Sequence, residues 1–236
     1  HQLPAARSRT YKYFFMRRDL DVCRMQEAAQ GLVGDHDFRN FCKMDVIATA
    51  NFVRTIHSFE IRPCGPNSES PTSMWVATIH GTAFLYHQVR CMMQVLFEVG
   101  VGHEPVGLVA ALLDVDTNPR KPLYIPASET GLVLWQCDFE GMEWSGTERS
   151  QRRLMRRLFE TYEERLLRAV VVGAMRTAVE EAMRLDTLRL DNGTVAVDVA
   201  LSDVPSVQKV KRLSPPRRGG AGYTPYLQRD AERTFE

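Results

Sequence analysis

The amino-acid sequence predicts an α+β fold: a βαββαβ-like, mainly antiparallel sheet with helices on one face, followed by a C-terminal helical extension. Three observations lead there. Residues 9–15, 52–62, 74–82 and 132–139 are short runs rich in β-branched and aromatic side chains, bounded by turn residues. Between them lie stretches whose apolar residues recur at helical spacing. After residue 145 the chain becomes long, charged and helix-patterned.

Residues 9–15, RTYKYFF, alternate basic or polar with aromatic side chains and form the first strand, with Arg9, Tyr11 and Tyr13 on one face and Lys12 and Phe14 on the other. Asp19 or Asp21 caps a helix running to about Gln30, with Val22, Met25, Ala29 and Leu32 facing inward and Gly34 as its stop. The segment DHDFRNFCKMD follows neither period and is expected to be a loop, folded onto the core through Phe38 and Phe41. Strands over 52–62 and 74–82 flank a Pro/Gly/Ser-rich turn. From Phe84 onward Leu85, Val89, Met92, Met93 and Leu96 mark a buried helical face, and a shorter helix over 105–113 has Pro105 in its first turn. The last strand is 132–139.

A long helix over 145–185 is expected to be interrupted near Gly173. Its apolar row, Leu154, Leu158, Tyr162, Leu166 and Val170, is expected to pack on the domain or on a second subunit. Asp191-Asn192-Gly193 signals a tight turn, 195–201 a short strand, and 205–222 a flexible basic linker or tail. The organisation read from this is an α+β domain over 1–144, a helical extension over 145–204 and a basic Pro/Gly-rich tail over 205–236.

Composition excludes several classes. No apolar run approaches the ~20 residues that cross a bilayer, so no membrane partner is expected. A net charge of +1 does not announce a nucleic-acid binder. Basic residues do cluster, at Arg7, Arg9, Lys12, Arg17 and Arg18 and again at Lys209, Lys211, Arg212, Arg217 and Arg218, as either solvated surface or phosphate contacts. Five cysteines without a CxxC pair argue against a disulfide framework and against a zinc site, and place the chain in a reducing compartment (cytosol, nucleus or organelle matrix), with nucleus or cytoplasm expected. With no initiator methionine and no signal-peptide core, the N-terminus reads as that of a chain cut from something longer.

The chemistry gathers around IHGTAFLYHQVRCMMQVLFEVG, residues 79–100. His87 and Arg90 share one face of an otherwise apolar helix. A guanidinium beside a core needs an anionic partner, because an unpaired buried charge is costly. The alternative is a solvated polar stripe continuing through Gln94 and Glu98. Tyr11, flanked by arginines, is either a platform for a stacked base or a cross-strand core aromatic. Asp37 and Lys43 are either structural or RNA-facing, the carboxylate suiting a turn. His36 has no partner at ligand spacing, so no metal is expected. Leu132, at a strand start, reads as core.

These blocks carry a family resemblance. GTAFLYHQVRCMMQVLFEVG resembles the Phe-x-x-His-x-x-Arg helix of the TruA-like tRNA pseudouridine synthases, in the eukaryotic branch that modifies uridines 38 and 39 of the anticodon arm. RTYKY is similar to the family's tyrosine motif, DHDFRNFCKMD to its Gly-x-His-Asp-Phe block, and TGLVLWQCDF to its Gly-Leu-x-Leu block. GYTPYLQRDAERTFE is similar to the end of the eukaryotic branch. The main matches fall within residues 5–144.

The resemblance implies an isomerase that converts uridine to pseudouridine in tRNA without a cofactor. In that reading Arg90 pairs with the catalytic aspartate, while Tyr11 lies against the uracil and takes part in removing the C5 proton. Leu132 packs on the other side of the base, and Arg9, Phe84, His87, Asp37 and Lys43 belong to the substrate side. The family pairs subunits, so a homodimer is implied. The family's aspartate sits in a Gly-Arg-Thr-Asp motif, which this sequence lacks. The chain therefore resembles the C-terminal half of a synthase and is expected to be inactive without the N-terminal half. The rival from another class is a non-catalytic, RRM-like RNA-binding module. It has no RNP1-like stretch here and no use for Arg90 in a buried helix.

Overall fold

The computed structural model describes residues 6–43, 51–66, 68–142, 145–190 and 223–231. They fall into two compact units, His1–Glu140 with Pro205–Glu236, and Gly141–Val204.

Alternating side chains organise the first unit. Its five strands are β1 (Ala6–Met16), β2 (Gly34–Asp37), β3 (Val53–Pro63), β4 (Met74–Gly81) and β5 (Leu132–Phe139), in the spatial order β2-β3-β4-β1-β5 with every neighbouring pair antiparallel. With β2 set aside, the order is that of a βαββαβ sheet. Tyr13 pairs with Ala77 and Tyr11 with Ile79, so the odd residues of β1 and β4 share the face that carries the helices. Tyr13 and Phe15 on that face meet the ring of Phe97 edge-on at 6.0 and 5.4 Å. The intervening Lys12, Phe14, Val76, Thr78 and His80 take the other face and are only partly buried.

Helix α1 (Val22–Gln30) starts where the side chain of Asp21 accepts the Arg24 N–H at 3.0 Å. It ends at Gln30, as expected, with Gly31 rather than Gly34 as its cap. Gly34 instead opens β2 with φ of 116°, a left-handed value that suits glycine. The expected loop over 35–45 is corrected in part, since Gly34–Asp37 pair with Val53–Ile56 as an edge strand. Four mostly polar residues carry no period of their own, and the partner strand decides them. Phe38 and Phe41 are fully buried, as expected.

Helix α2 (Gln88–Val101) starts later than Phe84, because His87 sits in the left-handed region at φ 61° and breaks the helical path. Twelve of its 14 residues are buried, so it is a central helix rather than an amphipathic surface one. The reading of Glu98 as part of a solvated stripe is therefore corrected. Glu98 is 4% exposed, and its carboxylate accepts from Gln94 Nε2 at 3.0 Å and pairs with His103 Nδ1 at 2.9 Å. Burial pushes its pKa up against those two contacts. Helix α3 (Leu108–Leu113) is shorter than predicted.

The second unit contains α4 (Glu148–Leu190), which runs unbroken through Gly173. One glycine costs a helix only ~1 kcal/mol, too little to end 43 residues. The apolar row expected to pack is exposed, from 47% at Leu166 to 64% at Tyr162. No helix among the described residues is long and apolar enough to cross a membrane. The turn at 191–193, the strand at 195–201 and the basic stretch 205–222 lie outside the described residues. Residues 223–231, expected to end a tail, are docked in the first unit, with Tyr226 fully buried.

Candidate active site

Arg90 is the third residue of α2, where the helix dipole is positive and a second cation is unfavourable unless acceptors surround it. They do. Its Nε donates to the Ala127 carbonyl at 2.6 Å, and its Nη2 pairs with the Glu129 carboxylate at 3.0 Å. The Ala127 N–H in turn donates to the Arg90 carbonyl at 3.1 Å, so main chain and side chain are clamped to one loop. The Arg90 side chain is only 18% exposed.

Around the guanidinium the other residues take distinct positions. His87 Nε2 lies 3.4 Å from Arg90 Nη1. Burial, then Arg90 and Lys43, hold the His87 pKa below its ordinary value, so the ring is neutral at pH 7. Facing a guanidinium, Nε2 keeps its lone pair and Nδ1 carries the proton. That Nδ1 is buried and has no hydrogen-bond partner among the described residues. The Tyr13 hydroxyl donates to the Ser128 carbonyl at 2.6 Å, and burial pushes its pKa up to about 12.

Tyr11 is two residues along the same face of β1, about 7 Å away. Its ring meets Phe84 edge-on at 4.9 Å. Burial raises its phenol pKa, with Arg9 opposing. Across the ladder Tyr13 faces Leu132 and Tyr11 faces Leu134, which puts both leucines on the helix side with the tyrosines. Arg9, next along that face, donates from Nη1 to the Thr82 carbonyl at 3.3 Å.

The structure thus gathers Tyr11, Phe84, His87, Arg90 and Leu132 at one end of the helix layer. Asp37 is elsewhere, on a strand three positions from β1 and so about 14 Å across the sheet. Its carboxylate accepts from Arg39 through the backbone N–H at 2.9 Å and Nη2 at 2.6 Å, the turn-forming arrangement. Burial raises the Asp37 pKa, but the Arg39 hydrogen bonds outweigh it and hold the group low. Lys43 is exposed, with its backbone N–H on the Tyr86 carbonyl at 3.0 Å, and its charge reaches His87. Among the described residues no group of three or more His, Cys, Asp or Glu is placed to hold a metal.

Sequence reasoning missed Glu129, Tyr13's hydroxyl anchor and the Ala127 carbonyl. The acidic residue in ASETGL was the one available signal, but nothing in its spacing ties it to Arg90. Because the Glu129 carboxylate is 75% exposed, Glu129→Ala should change stability by less than about 1 kcal/mol. A urea titration checks this, and a much larger loss would mean that the pair is effectively desolvated.

Taken together, this end of the sheet and helix layer carries a mostly buried guanidinium fixed by a carbonyl and engaged with a carboxylate. Residues 28–140 match the family model for tRNA pseudouridine synthase. Arg90, Glu129 and Leu132 lie inside that segment, and Tyr11 precedes it. The chain is similar to human tRNA pseudouridine(38/39) synthase, 46% identical over 149 residues that make up 61% of this chain and 31% of the human protein. The Saccharomyces cerevisiae protein of the same name is 41% identical over 137 residues, 58% of this chain and 30% of its own length. The tRNA pseudouridine synthase A of Thermococcus onnurineus is 30% identical over 168 residues, 71% of this chain and 58% of its own. The chain therefore spans about a third of the length of the eukaryotic relatives it matches.

Proposed function

We propose that this chain supplies the C-terminal half of the catalytic domain of a tRNA pseudouridine synthase acting at position 38/39 of the anticodon arm. The observation that carries this reading is the Arg90 guanidinium. It is mostly buried, aimed by the Ala127 carbonyl and already engaged with a carboxylate, on a loop that also takes the hydroxyl of Tyr13, the strand neighbour of Leu132 two residues from Tyr11. A guanidinium with part of its fork committed keeps N–H donors for a second carboxylate, the nucleophilic aspartate of the other half.

In this reading the target uridine is turned out of its stack at a cost of a few kcal/mol. The aspartate attacks, the N-glycosidic bond breaks and the uracil turns. C5 then bonds to the ribose carbon, the bond made by the aspartate is broken, and C5 loses its proton while N1 gains one, so the atoms balance and no cofactor is consumed. Arg90 keeps the carboxylate ionised and aimed. Tyr11 and Leu132 bracket the ring, and the Tyr11 hydroxyl relays the C5 proton. The basic residues of β1 meet phosphates, which makes binding salt-sensitive.

A second reading, an RNA-binding module without chemistry, has one observation in its favour. Trp135 is 56% exposed with the Lys12 ammonium 3.6 Å from its ring centroid, on the sheet face away from the helices. It leaves the clamped guanidinium without a task. The test joins this chain to the N-terminal half that carries Gly-Arg-Thr-Asp and assays pseudouridine in anticodon-arm tRNA. Conversion is expected for the joined protein and none above blank for this chain alone. Tight binding without conversion by the joined protein would favour the module.

A further inference from the structure

The segment 115–128, which carries the Ala127 carbonyl, contains no helix and no strand. Its conformation therefore depends on what it packs against. The structure shows two supports. From the core side, the Tyr124 hydroxyl donates to the Asn40 carbonyl at 2.6 Å. From the other side comes the C-terminal segment 223–231. Its Asp230 carbonyl accepts the Leu123 N–H at 2.8 Å, and Pro122 and Ala231 form an antiparallel bridge. The Tyr226 ring stacks on Tyr124, centroids 4.8 Å apart and planes 19° from parallel.

That segment is itself firmly moored. Buried Glu104, just past the end of α2, accepts the Tyr226 N–H at 2.6 Å and the Tyr223 hydroxyl at 2.8 Å through one carboxylate oxygen. The Arg229 guanidinium covers the Tyr226 ring at 4.1 Å and the Tyr223 ring at 5.1 Å. A continuous set of contacts thus runs from Glu104 through Tyr226 and Tyr124 to the loop whose Ala127 carbonyl aims Arg90.

We propose that residues 223–231 are a positioning strap for the arginine pocket, with Tyr226 as its anchor. The strap touches neither substrate nor the reacting atoms. It holds the 121–127 loop so that Ala127 fixes the guanidinium in the orientation a carboxylate needs. Since misplacing a catalytic group by ~1 Å can cost on the order of 10²-fold in rate, a loop freed on one side is enough to matter. The inference rests on the functional reading above for its kinetic consequence only.

The test compares Tyr226→Ala with Tyr226→Phe, which keeps the stack on Tyr124 and the backbone bond to Glu104. Amide exchange on this chain is read over residues 121–128, and turnover is read in the joined protein. Tyr226→Ala should speed exchange in that loop roughly 10-fold or more while the sheet stays protected. It should also lower kcat by roughly 10- to 100-fold with KM nearly unchanged. Tyr226→Phe should match the wild type in both. If Tyr226→Ala loses protection throughout the sheet, Arg229→Ala decides, since it removes the outer cover of the strap and the Nη1 bond to the Leu123 carbonyl at 3.4 Å while leaving the buried Tyr226 in place. Local loss at 121–128 in that variant supports the strap, and unchanged exchange overturns it. Faster loop exchange with full kcat would overturn the positioning role. A wild-type joined protein without turnover would instead count against the functional reading and leave the exchange result to judge the strap.

Discussion

Replacing Arg90 with lysine in the joined protein is expected to lower kcat by about 10²- to 10³-fold while tRNA affinity stays within a few-fold of wild type. The positive charge survives this substitution, so the loss must come from geometry. The guanidinium serves the Ala127 carbonyl, the Glu129 carboxylate and the His87 ring in three directions at once. An ammonium on a flexible stem cannot fill that fork and still present a fixed donor pair to an incoming aspartate. Alanine should be as inactive, and should also leave the Ala127 carbonyl without its donor, at a cost of roughly 1–3 kcal/mol if no water replaces it. Affinity should hold because the phosphate contacts of the tRNA lie elsewhere in this reading. Single-turnover assays with Arg90→Lys at wild-type rate would refute the pairing role.

Tyr11→Phe should slow turnover by about 10²-fold or more with little change in binding. The substitution keeps the ring against Phe84 and removes only the hydroxyl. Because burial raises the Tyr11 pKa, the group is a neutral phenol at pH 7 and acts as a proton relay rather than as a standing phenolate. The sign follows. Ionisation of Tyr11 should leave no mark on the pH–rate profile below about pH 10, the ordinary phenol value. Tyr13→Phe is the internal control. That hydroxyl is spent on the Ser128 carbonyl, so its loss should cost stability and spare the chemical step. Equal rates for Tyr11→Phe and wild type would make the Tyr11 hydroxyl a bystander.

Much of the first unit was legible from local pattern. The alternation in RTYKYFF placed Tyr11 and Tyr13 on one face, and the ladder to β4 keeps them there. The apolar spacing from Leu85 to Leu96 marked a helix, and Asp19 or Asp21 marked the start of another, which Asp21 caps. The misreadings share a cause. β2 is a strand only because Val53–Ile56 lie beside it. Glu98 fell on a row that looked polar, yet it is buried with His103 as its partner, and the His103 ring in turn lies 4.3 Å from that of Tyr223 in the strap. Gly173 looked like a break because its small cost was read without the 43-residue helix around it.

The order of the helices and of every strand but β2, and the faces of β1, were set by the sequence alone; His87, read as part of the same helix as Arg90, is instead its left-handed cap. Period and capping act over a few residues and leave a local record. The sequence also showed that a guanidinium in so apolar a helix would need an acid. Which groups answer it was decided by tertiary structure: Ala127 is 37 residues from Arg90 along the chain, Glu129 lies two residues beyond Ala127, and the strap lies about a hundred residues farther on. Such partners meet only after the sheet has closed. A single carbonyl or carboxylate then aims a charge that no spacing rule could have aimed.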